Sequence, residues 1–339
     1  MHLLSAAVLT LAALTACRDR TSDAPAPKPP EPPASVVSAG IDAGPTATSI
    51  APLPAPKPPA RIPVAFVLTP GAEVVDFAGP WGVFEYVLVD GYDQSVFQLY
   101  TVAERAEPFR LSGGLTVVPD YTFASAPPPK IVVVPAQEGE ASAAEIAWLR
   151  RTAPGTDLTM SVCNGAFVLG QAGLLDGKAA TSHHNAYALF EATFPEVTLR
   201  RGARFVDADG ISTAGGLTSG IDLALHVVER YFGRAVAEQT ATLLEYQGQG
   251  WKDSASNAAF AAKPVSTPDR PICPVCEMPV DQDTALHGTF HGHEYAFCSA
   301  SCKAAFDKAP ERFAQEASPA APGAPDPSGQ GTVAPSRQP

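Results

Sequence analysis

The sequence has little positive charge for its length. Among 339 residues, 23 are Lys or Arg and 35 are Asp or Glu, which gives a formal net charge of -12 at pH 7. Binding to nucleic acid depends on clustered Lys and Arg side chains that neutralise phosphates, and the sequence shows no such cluster. The composition therefore argues against nucleic acid as a partner.

Long apolar runs are also scarce. The stretch from Leu3 to Ala16 is shorter than the ~20 residues that a membrane-spanning helix requires, so we interpret it as an export signal. It ends in Leu14-Thr15-Ala16-Cys17, which resembles a bacterial lipobox. The resemblance implies cleavage before Cys17, lipidation of its thiol, and anchoring in the cell envelope on the periplasmic side of the outer membrane. An ordinary or uncleaved secretory signal is the alternative, because only His2 gives the leader positive character.

Cysteine is scarce as well, and its six copies fall into three groups. Cys17 belongs to the predicted lipid anchor, and Cys163 stands alone after an apolar stretch. The other four form a C-terminal cluster of Cys273, Cys276, Cys298 and Cys302.

The distribution of Pro and Ala predicts the domain organisation. Two segments rich in Pro, Ala and Ser have too little apolar content to form a core, and we expect an extended tether and a disordered tail. The full division is a signal peptide at 1–16, the tether at 17–60, a large domain at 61–250, a linker at 251–271, a cysteine-rich module at 272–316 and the tail at 317–339.

The large domain alternates β-branched runs with helical patterns, which is typical of a doubly wound α/β fold. Its short, wholly apolar strands indicate a mostly parallel sheet that is covered on both faces. The predicted strands include 62–68, 96–103, 131–134 and 158–162, and the predicted helices are 76–89, 141–151, 165–172, 219–232 and 235–246.

Cys163 lies at the junction between a predicted strand and a predicted helix. Ser161 and Gly165 flank it at minus two and plus two, and such small residues permit the sharp turn of a nucleophile elbow. The start of a helix favours a thiolate, which is the reactive form of cysteine. The alternative is a small buried residue that only packs in a tight turn.

Sites in doubly wound sheets lie at the carboxyl ends of the strands. Asp76 follows the first strand and His183 follows the segment 179–182, so both are candidate partners of Cys163. A structural role for His183 is equally open, and His184 is an alternative to it. Asn164 is expected either to contact the substrate through its amide or to cap the elbow helix.

Four segments together resemble the DJ-1/PfpI superfamily, whose members have the class I glutamine-amidotransferase-like, flavodoxin-type fold. They are Thr69-Pro-Gly-Ala-Glu-Val-Val-Asp-Phe-Ala-Gly-Pro80, Ser161-Val-Cys-Asn-Gly-Ala-Phe167, Ala172-Gly-Leu-Leu-Asp-Gly177 and Ala214-Gly-Gly-Leu-Thr-Ser-Gly-Ile-Asp-Leu-Ala-Leu225. The resemblance covers about residues 61–250 and is strongest to the branch that contains isonitrile hydratases. It implies that Cys163 is the nucleophile and that Asp76 shares a proton with its sulfur.

In that branch the thiolate attacks the isonitrile carbon, the carboxylic acid protonates it, and water releases an N-substituted formamide. This chain departs from the branch at two places. Asn164 stands where the hydratases commonly have Thr, and Pro135-Ala136-Gln137 stands where the superfamily usually has Pro-Gly-Gly. The backbone amides of that glycine pair help to form an oxyanion hole, so the added Cβ atoms are expected to displace these donors.

The C-terminal cluster has the spacing of a metal site. Two thiol pairs, Cys273-x-x-Cys276 and Cys298-x-x-x-Cys302, suit a closed tetrahedral zinc site, whereas two disulfides are the alternative in an exported protein. The segment also resembles the YHS, or TRASH-like, metal-binding domain, with Cys273 in place of the usual Asp. Four soft sulfur ligands favour zinc, with copper(I) as the alternative, and the neighbouring His287, His291 and His293 leave other transition metals open. We expect no cofactor in the α/β domain.

These observations lead to two hypotheses and a weaker third one. The first is an exported, lipid-anchored enzyme that uses Cys163 on a small electrophile, such as an isonitrile or a reactive carbonyl. The second is a non-catalytic protein that senses or binds metal or oxidants. The third, a transcription-regulator-like ligand-binding domain, is disfavoured by export. The superfamily resemblance also implies a homodimer.

Overall fold

The computed structural model describes residues 51–314. Cys17, the signal peptide, residues 17–50 of the tether and the C-terminal tail lie outside the described residues, so those predictions stay predictions. Among the residues it does describe, no helix has both the length and the apolar character needed to cross a membrane.

The described chain alternates strands and helices as the sequence predicts. The strands are β1 (Ile62–Val67), β2 (Phe97–Ala103), β3 (Phe109–Arg110), β4 (Thr116–Val117), β5 (Tyr121–Thr122), β6 (Ile131–Val134), β7 (Leu158–Val162), β8 (Ala179–Ala180), β9 (Thr198–Leu199), β10 (Phe205–Ala208), β11 (Ile211–Ala214), β12 (Leu286–Phe290) and β13 (His293–Phe297). The helices are α1 (Val74–Glu85), α2 (Ala143–Thr152), α3 (Gly165–Gln171), α4 (Tyr187–Thr193), α5 (Ser219–Phe232), α6 (Arg234–Leu243), α7 (Ala300–Lys308) and α8 (Pro310–Phe313).

A seven-stranded sheet organises the large domain in the order β10-β11-β7-β6-β1-β2-β5. All neighbouring strands in it run parallel except the β10–β11 hairpin. Every residue of β6 and β7 is buried, as expected for central strands that helices cover on both faces. The predicted flavodoxin-like, mostly parallel sheet is confirmed.

Two apolar cores lie on the two faces of this sheet. Val64 and Phe66 of β1 point into the core that contains α1 and α5, whereas Ala65 and Val67 point into the core that contains α2 and α3. The alternation follows from the period of two along a strand. Burial on both faces fixes the register, and the register places the ends of β1, β6 and β7 side by side.

The C-terminal module consists of the β12–β13 hairpin followed by α7 and α8. Phe297, Phe306 and Phe313 form its core, which extends onto Ala192 of α4 in the large domain. Arg312 of α8 also contacts the large domain, because its Nη1 donates to the Ala192 carbonyl at 2.6 Å. The module therefore packs directly on the α/β domain.

The segment expected to be a linker also packs on the large domain. Trp251 is 2 % exposed, and its backbone N–H donates to Oδ1 of Asp222 at 2.9 Å. Further along, the Ser254 carbonyl accepts from the backbone N–H of Arg204 at 2.6 Å, and Phe260 stacks on His184. The first half of this segment is thus a strap across the domain surface.

Gly165 permits the elbow to approach the end of β6. A Cβ at this position would lie 2.2 Å from the Val134 carbonyl oxygen and 2.9 Å from the Pro135 carbonyl oxygen. Both obstacles are backbone atoms, which cannot rotate away as a side chain does.

We predict that Gly165→Ala lowers the free energy of unfolding by more than about 2 kcal/mol, because the sheet and the elbow must separate to admit the methyl group. Gly82→Ala in α1 is the matched control, since a Cβ there meets nothing within 4 Å. That variant should be neutral or more stable by roughly 0.5–1 kcal/mol, because Ala is the better helix former. Urea unfolding of both variants measures the contrast, and equal effects would contradict the interpretation.

Candidate functional site

Cys163 occupies the strained turn that the sequence predicts. Its φ of 59° lies in the left-handed region, which a residue with a side chain seldom adopts. Its backbone N–H donates to the carbonyls of Ala214 and Gly215, at 3.2 and 2.9 Å, and so ties the turn to the end of β11. The residue is 6 % exposed. The fold therefore holds the thiol at the carboxyl end of the sheet and almost covers it.

Asp76 in the first turn of α1 is completely buried beside this thiol. Its Oδ2 accepts from the Ala136 backbone N–H at 3.0 Å, and the carboxyl lies within hydrogen-bonding range of Cys163. The buried Oδ1 has no hydrogen-bond partner among residues 51–314. Burial raises the pKa of Asp76 to about 7, because the charged carboxylate loses its hydration, and the negative Glu73 adds to the rise.

The thiol itself does not rest as a thiolate. Burial, followed by the negative charge of Asp76, raises the pKa of Cys163 to about 12, although the backbone N–H groups of Asn164 and Leu217 oppose the rise. Desolvation therefore outweighs the effect expected from the start of the helix, which favours the thiolate. The two acids titrate as a pair, and one proton on Asp76 removes the charge that resists ionisation of the sulfur.

The backbone donors around the sulfur differ from the family pattern at β6. The Ala136 N–H, which comes from the first position of the expected glycine pair, is bonded to Asp76. The N–H groups of Asn164 and Leu217 face the sulfur instead. The donors closest to the reacting atom thus come from the elbow and from the loop after β11.

Asn164 does not cap the elbow helix. It occupies the N-cap position of α3 without a side-chain hydrogen bond to the helix, and its Oδ1 accepts from the Ser182 hydroxyl at 3.3 Å. The same hydroxyl donates to the Cys163 carbonyl at 3.1 Å. Ser182, which sequence reasoning missed, therefore orients both Asn164 and the elbow.

His183 packs against the loop that follows β11. A Cβ on Gly216 would meet its ring at 2.1 Å, so the ring packs on the loop that carries the Leu217 N–H. The ring also stacks on His184, which in turn stacks on Phe260 of the strap. Burial lowers the pKa of both histidines, which keeps them neutral at pH 7. We interpret His183 as a packing group and a neutral hydrogen-bonding group beside the loop.

A second buried carboxyl was also missed from the sequence. Glu145 of α2 is 1 % exposed, and its Oε2 accepts from the Gln137 amide at 3.2 Å. The Oε1 of Gln137 accepts from the Thr69 hydroxyl at 2.9 Å. These two hydrogen bonds link the residues after β1 and β6 to α2. They also fix the side chain of Gln137, which stands in place of the second glycine of the family motif.

The four C-terminal cysteines converge on one point. Their sulfur atoms all lie within 4.8 Å of one another, with Cys276 and Cys298 at 3.3 Å and Cys298 and Cys302 at 3.7 Å. Zinc–sulfur bonds of ~2.3 Å in a tetrahedron place the sulfurs about 3.8 Å apart, so the cluster fits a tetrahedral ion. All described cysteines are free thiols, and none of the three histidines of the module belongs to the group.

Two backbone turns bring these thiols together. The Cys273 carbonyl accepts from the Glu277 N–H at 2.8 Å, which closes the first turn. Ser299 caps α7 by accepting from the Cys302 N–H at 3.2 Å, which places Cys302 in the first helical turn opposite Cys298. A hydrogen bond from the Cys276 thiol lowers the pKa of Cys273 to about 5, so the crowded set already favours one thiolate. The donor set is suited to a soft metal ion.

The fold and the buried cysteine–carboxyl pair define a flavodoxin-like α/β protein with a nucleophile elbow. The DJ-1/PfpI family model matches residues 63–230, and the YHS domain model matches residues 272–317. Isonitrile hydratase from Pseudomonas putida is 32% identical over 187 residues, which cover 54% of this chain and 78% of the relative. The chain belongs to the DJ-1/PfpI family and carries a C-terminal YHS domain, whose cysteine cluster indicates metal binding.

The chain is also similar to a transcriptional regulator and to a family member of known structure. The HTH-type transcriptional regulator CdhR from Pseudomonas aeruginosa is 26% identical over 179 residues, and the match spans only 52% of that regulator. The crystal structure of a THiJ/PfpI family protein from Pseudomonas syringae superposes with a TM-score of 0.50 at 28% identity, over 56% of this chain and 77% of the other. The proteins that this chain resembles thus include one named as an enzyme and one named as a regulator.

We predict that the pair makes stability depend on pH. Asp76 keeps its proton in the folded protein up to about pH 7, whereas the ordinary value is 3.8, so the folded state binds more protons between these limits. The stabilisation is complete below about pH 4 and is lost as pH rises through 7, by a few kcal/mol in all. Urea unfolding from pH 4 to 8 should show the wild type losing stability relative to Asp76→Asn, which still accepts from Ala136 but does not titrate. A constant difference would contradict the raised pKa.

We predict that Cys298→Ser lowers the metal content of the full-length chain several-fold, because a hydroxyl replaces one of four thiolate ligands. Elemental analysis of the purified protein after removal of loosely bound ions measures the content. Cys163→Ser is the matched control, since it makes the same substitution outside the cluster and should retain the wild-type content. Equal loss in both variants, or no loss in either, would be inconsistent with metal binding at the cluster.

Proposed function

We propose that the chain is a cysteine-dependent enzyme of the hydratase type that acts on a small electrophile, either an isonitrile or a reactive carbonyl compound. The observation that carries the proposal is the buried pair of Cys163 and Asp76, with a carboxyl pKa of about 7. Such a carboxyl exchanges a proton readily near neutral pH, as a general acid and base must. The similarity to isonitrile hydratase supports the substrate class.

The chemistry follows from one proton that the pair shares. As the Cys163 sulfur bonds to the isonitrile carbon, its proton passes to the Asp76 carboxylate, and Asp76 then delivers that proton to the same carbon. The product of this step is a thioimidate. Water adds to its carbon and protonates the nitrogen, the carbon–sulfur bond breaks, and the remaining hydroxyl proton returns to the sulfur. An N-substituted formamide leaves, and the free enzyme is restored.

Burial of the site argues for a small substrate. Cys163 is 6 % exposed, and Asp76 is fully enclosed. The stacked rings of His183, His184 and Phe260 pack against the loop after β11, whose Leu217 N–H faces the sulfur. A compact, uncharged electrophile enters such a site at a smaller desolvation cost than a peptide or an anion.

The remaining parts of the proposal concern metal and location. We propose zinc for the four-thiolate cluster, with copper(I) as the alternative, and the bound ion would cross-link two turns of a module with a small core. Export, lipidation of Cys17, anchoring on the periplasmic side of the outer membrane, and homodimer formation complete the proposal. The lipobox-like segment and the family resemblance support these points.

A second candidate function is favoured by one observation. The thiol of Cys163 is protonated at neutral pH because burial raises its pKa, and a protonated thiol is a poor nucleophile until it is activated. A protein that senses or binds metal or oxidants, with Cys163 as a slow sensor, needs no turnover. The two functions differ in whether substrate is consumed many times per chain.

We predict that Cys163→Ser lowers turnover of a small aliphatic isonitrile at least about 100-fold and that Asp76→Asn lowers it about 100- to 10,000-fold, because each removes one member of the proton-sharing pair. Formation of the N-substituted formamide, followed by mass spectrometry, measures the rate. A reactive α-keto aldehyde serves as the second substrate class in the same assay.

Asp209→Asn is the control for the carboxyl substitution. Its side chain is 91% exposed in the turn between β10 and β11, where it pairs with Lys178, so turnover should equal that of the wild type. Multiple turnovers that depend on Cys163 distinguish the enzyme from the sensor. Absence of turnover on both substrate classes, or full turnover by Cys163→Ser, would overturn the enzymatic proposal.

A further inference from the structure

Arg204, between β9 and β10, joins three segments around the elbow although no motif marks it. Its Nε and Nη2 donate to Oδ2 of Asp222 at 2.6 and 2.5 Å, its Nη2 donates to the Thr218 hydroxyl at 3.1 Å, and its Nη1 donates to Oδ1 of Asn257 at 3.1 Å. The Asp222 side chain is 1% exposed and the Arg204 side chain 17%. All three guanidinium nitrogens are therefore engaged, in a geometry that lysine cannot reproduce.

The backbone of Arg204 continues this connection to the reactive cysteine. Its carbonyl accepts from the Gly215 N–H at 2.9 Å, and the Gly215 carbonyl accepts from the Cys163 N–H at 2.9 Å. On the other side, the Arg204 N–H donates to Ser254 of the strap. Two hydrogen bonds thus separate Arg204 from the backbone of the elbow.

The loop from Gly215 to Thr218 lies between Arg204 and the sulfur. The Leu217 N–H faces the Cys163 sulfur, although Leu217 itself has an unfavourable φ of 48°. Contacts on both sides of Leu217 hold it there. Arg204 contacts Gly215 through its backbone and Thr218 through its guanidinium, while the Asn257 amide nitrogen lies 2.9 Å from the position of a Cβ on Gly215.

We propose that Arg204 is a positioning residue for Cys163, because by joining Gly215, Thr218 and Asp222 it holds the Leu217 N–H at the sulfur. The inference rests on the proposed function only in taking Cys163 as the reactive thiol. The Leu217 donor stabilises the thiolate, and also any anionic atom that develops beside it. Arg204 would therefore govern reactivity without touching the substrate.

The test is the rate of alkylation of Cys163 by iodoacetamide between pH 6 and pH 10, followed by mass spectrometry on the peptide that contains Cys163. In Arg204→Lys the charge opposite Asp222 remains but the bonds to Thr218 and Asn257 are lost. We expect the rate profile to move to higher pH by about half to one unit, so that the rate at a given pH falls about three- to ten-fold. Thr218→Val, which removes one exposed hydroxyl, should change it in the same direction by a smaller amount.

The direction of the change in alkylation rate distinguishes the positioning role from one in which Arg204 only shields the thiol from solvent. If Arg204 only kept the strap closed over a buried thiol, its replacement would expose Cys163 and alkylation would become faster. Arg230→Lys is the matched control, because the side chain of Arg230 is also mostly covered, 9% exposed, and it pairs with Asp207 of β10. Its profile should equal that of the wild type.

The alkylation rates test the positioning role of Arg204 and the reactivity of Cys163 separately. Slower alkylation in Arg204→Lys and Thr218→Val, with Arg230→Lys unchanged, supports the positioning role. Wild-type or faster rates in both variants overturn it and leave the proposed function intact. A wild-type Cys163 that resists alkylation at every pH overturns the proposed reactivity itself. If Arg204→Lys unfolds, Thr218→Val still tests the proposal, because Thr218 is exposed and its replacement leaves the core intact.

Discussion

The close approach of the elbow to the end of β6 is the constraint on which the site depends. With no Cβ at Gly165, the first turn of α3 lies directly against the carbonyls of Val134 and Pro135. The residue that follows these carbonyls, Ala136, donates its backbone N–H to Asp76 of α1. A cysteine in a left-handed turn and a fully buried carboxyl thereby become neighbours. Sheet packing on both faces provides the stability that this strained arrangement requires.

Enclosure has opposite effects on the two members of the pair. It raises the pKa of Asp76 to about 7, which is useful for proton exchange, and it raises the pKa of Cys163 to about 12, which is unfavourable for a nucleophile. Transfer of one proton between the two groups avoids burying two negative charges at once, because one group is neutral whenever the other is charged. Nearby N–H groups from Asn164 and Leu217 supply the remaining stabilisation of the sulfur.

The sequence predicted those parts of the site that depend on local spacing. Cys163 follows from small residues at fixed distances, Asp76 from its place after β1, and the cysteine cluster from its C-x-x-C turn. Arg204 and Ser182 carry no local signal, because their roles arise when loops distant in sequence meet at one end of the sheet. The raised pKa of Cys163 could not be predicted for a related reason, since burial depends on every element packed around the thiol.

One ion pair links the cysteine cluster of the YHS domain to the segment of the α/β domain that contains Arg204. Glu277 follows Cys276 of the cysteine cluster, and its carboxylate forms a buried ion pair with Arg201. The guanidinium of Arg201 also lies over the Tyr187 ring and donates to Ala261 at the end of the strap. Breaking a buried ion pair by removing one partner costs about 3–5 kcal/mol, which is comparable to the stability of a small module. Docking of the YHS domain is therefore fixed at Arg201, three residues before Arg204, whose backbone is linked through Gly215 to the backbone of Cys163.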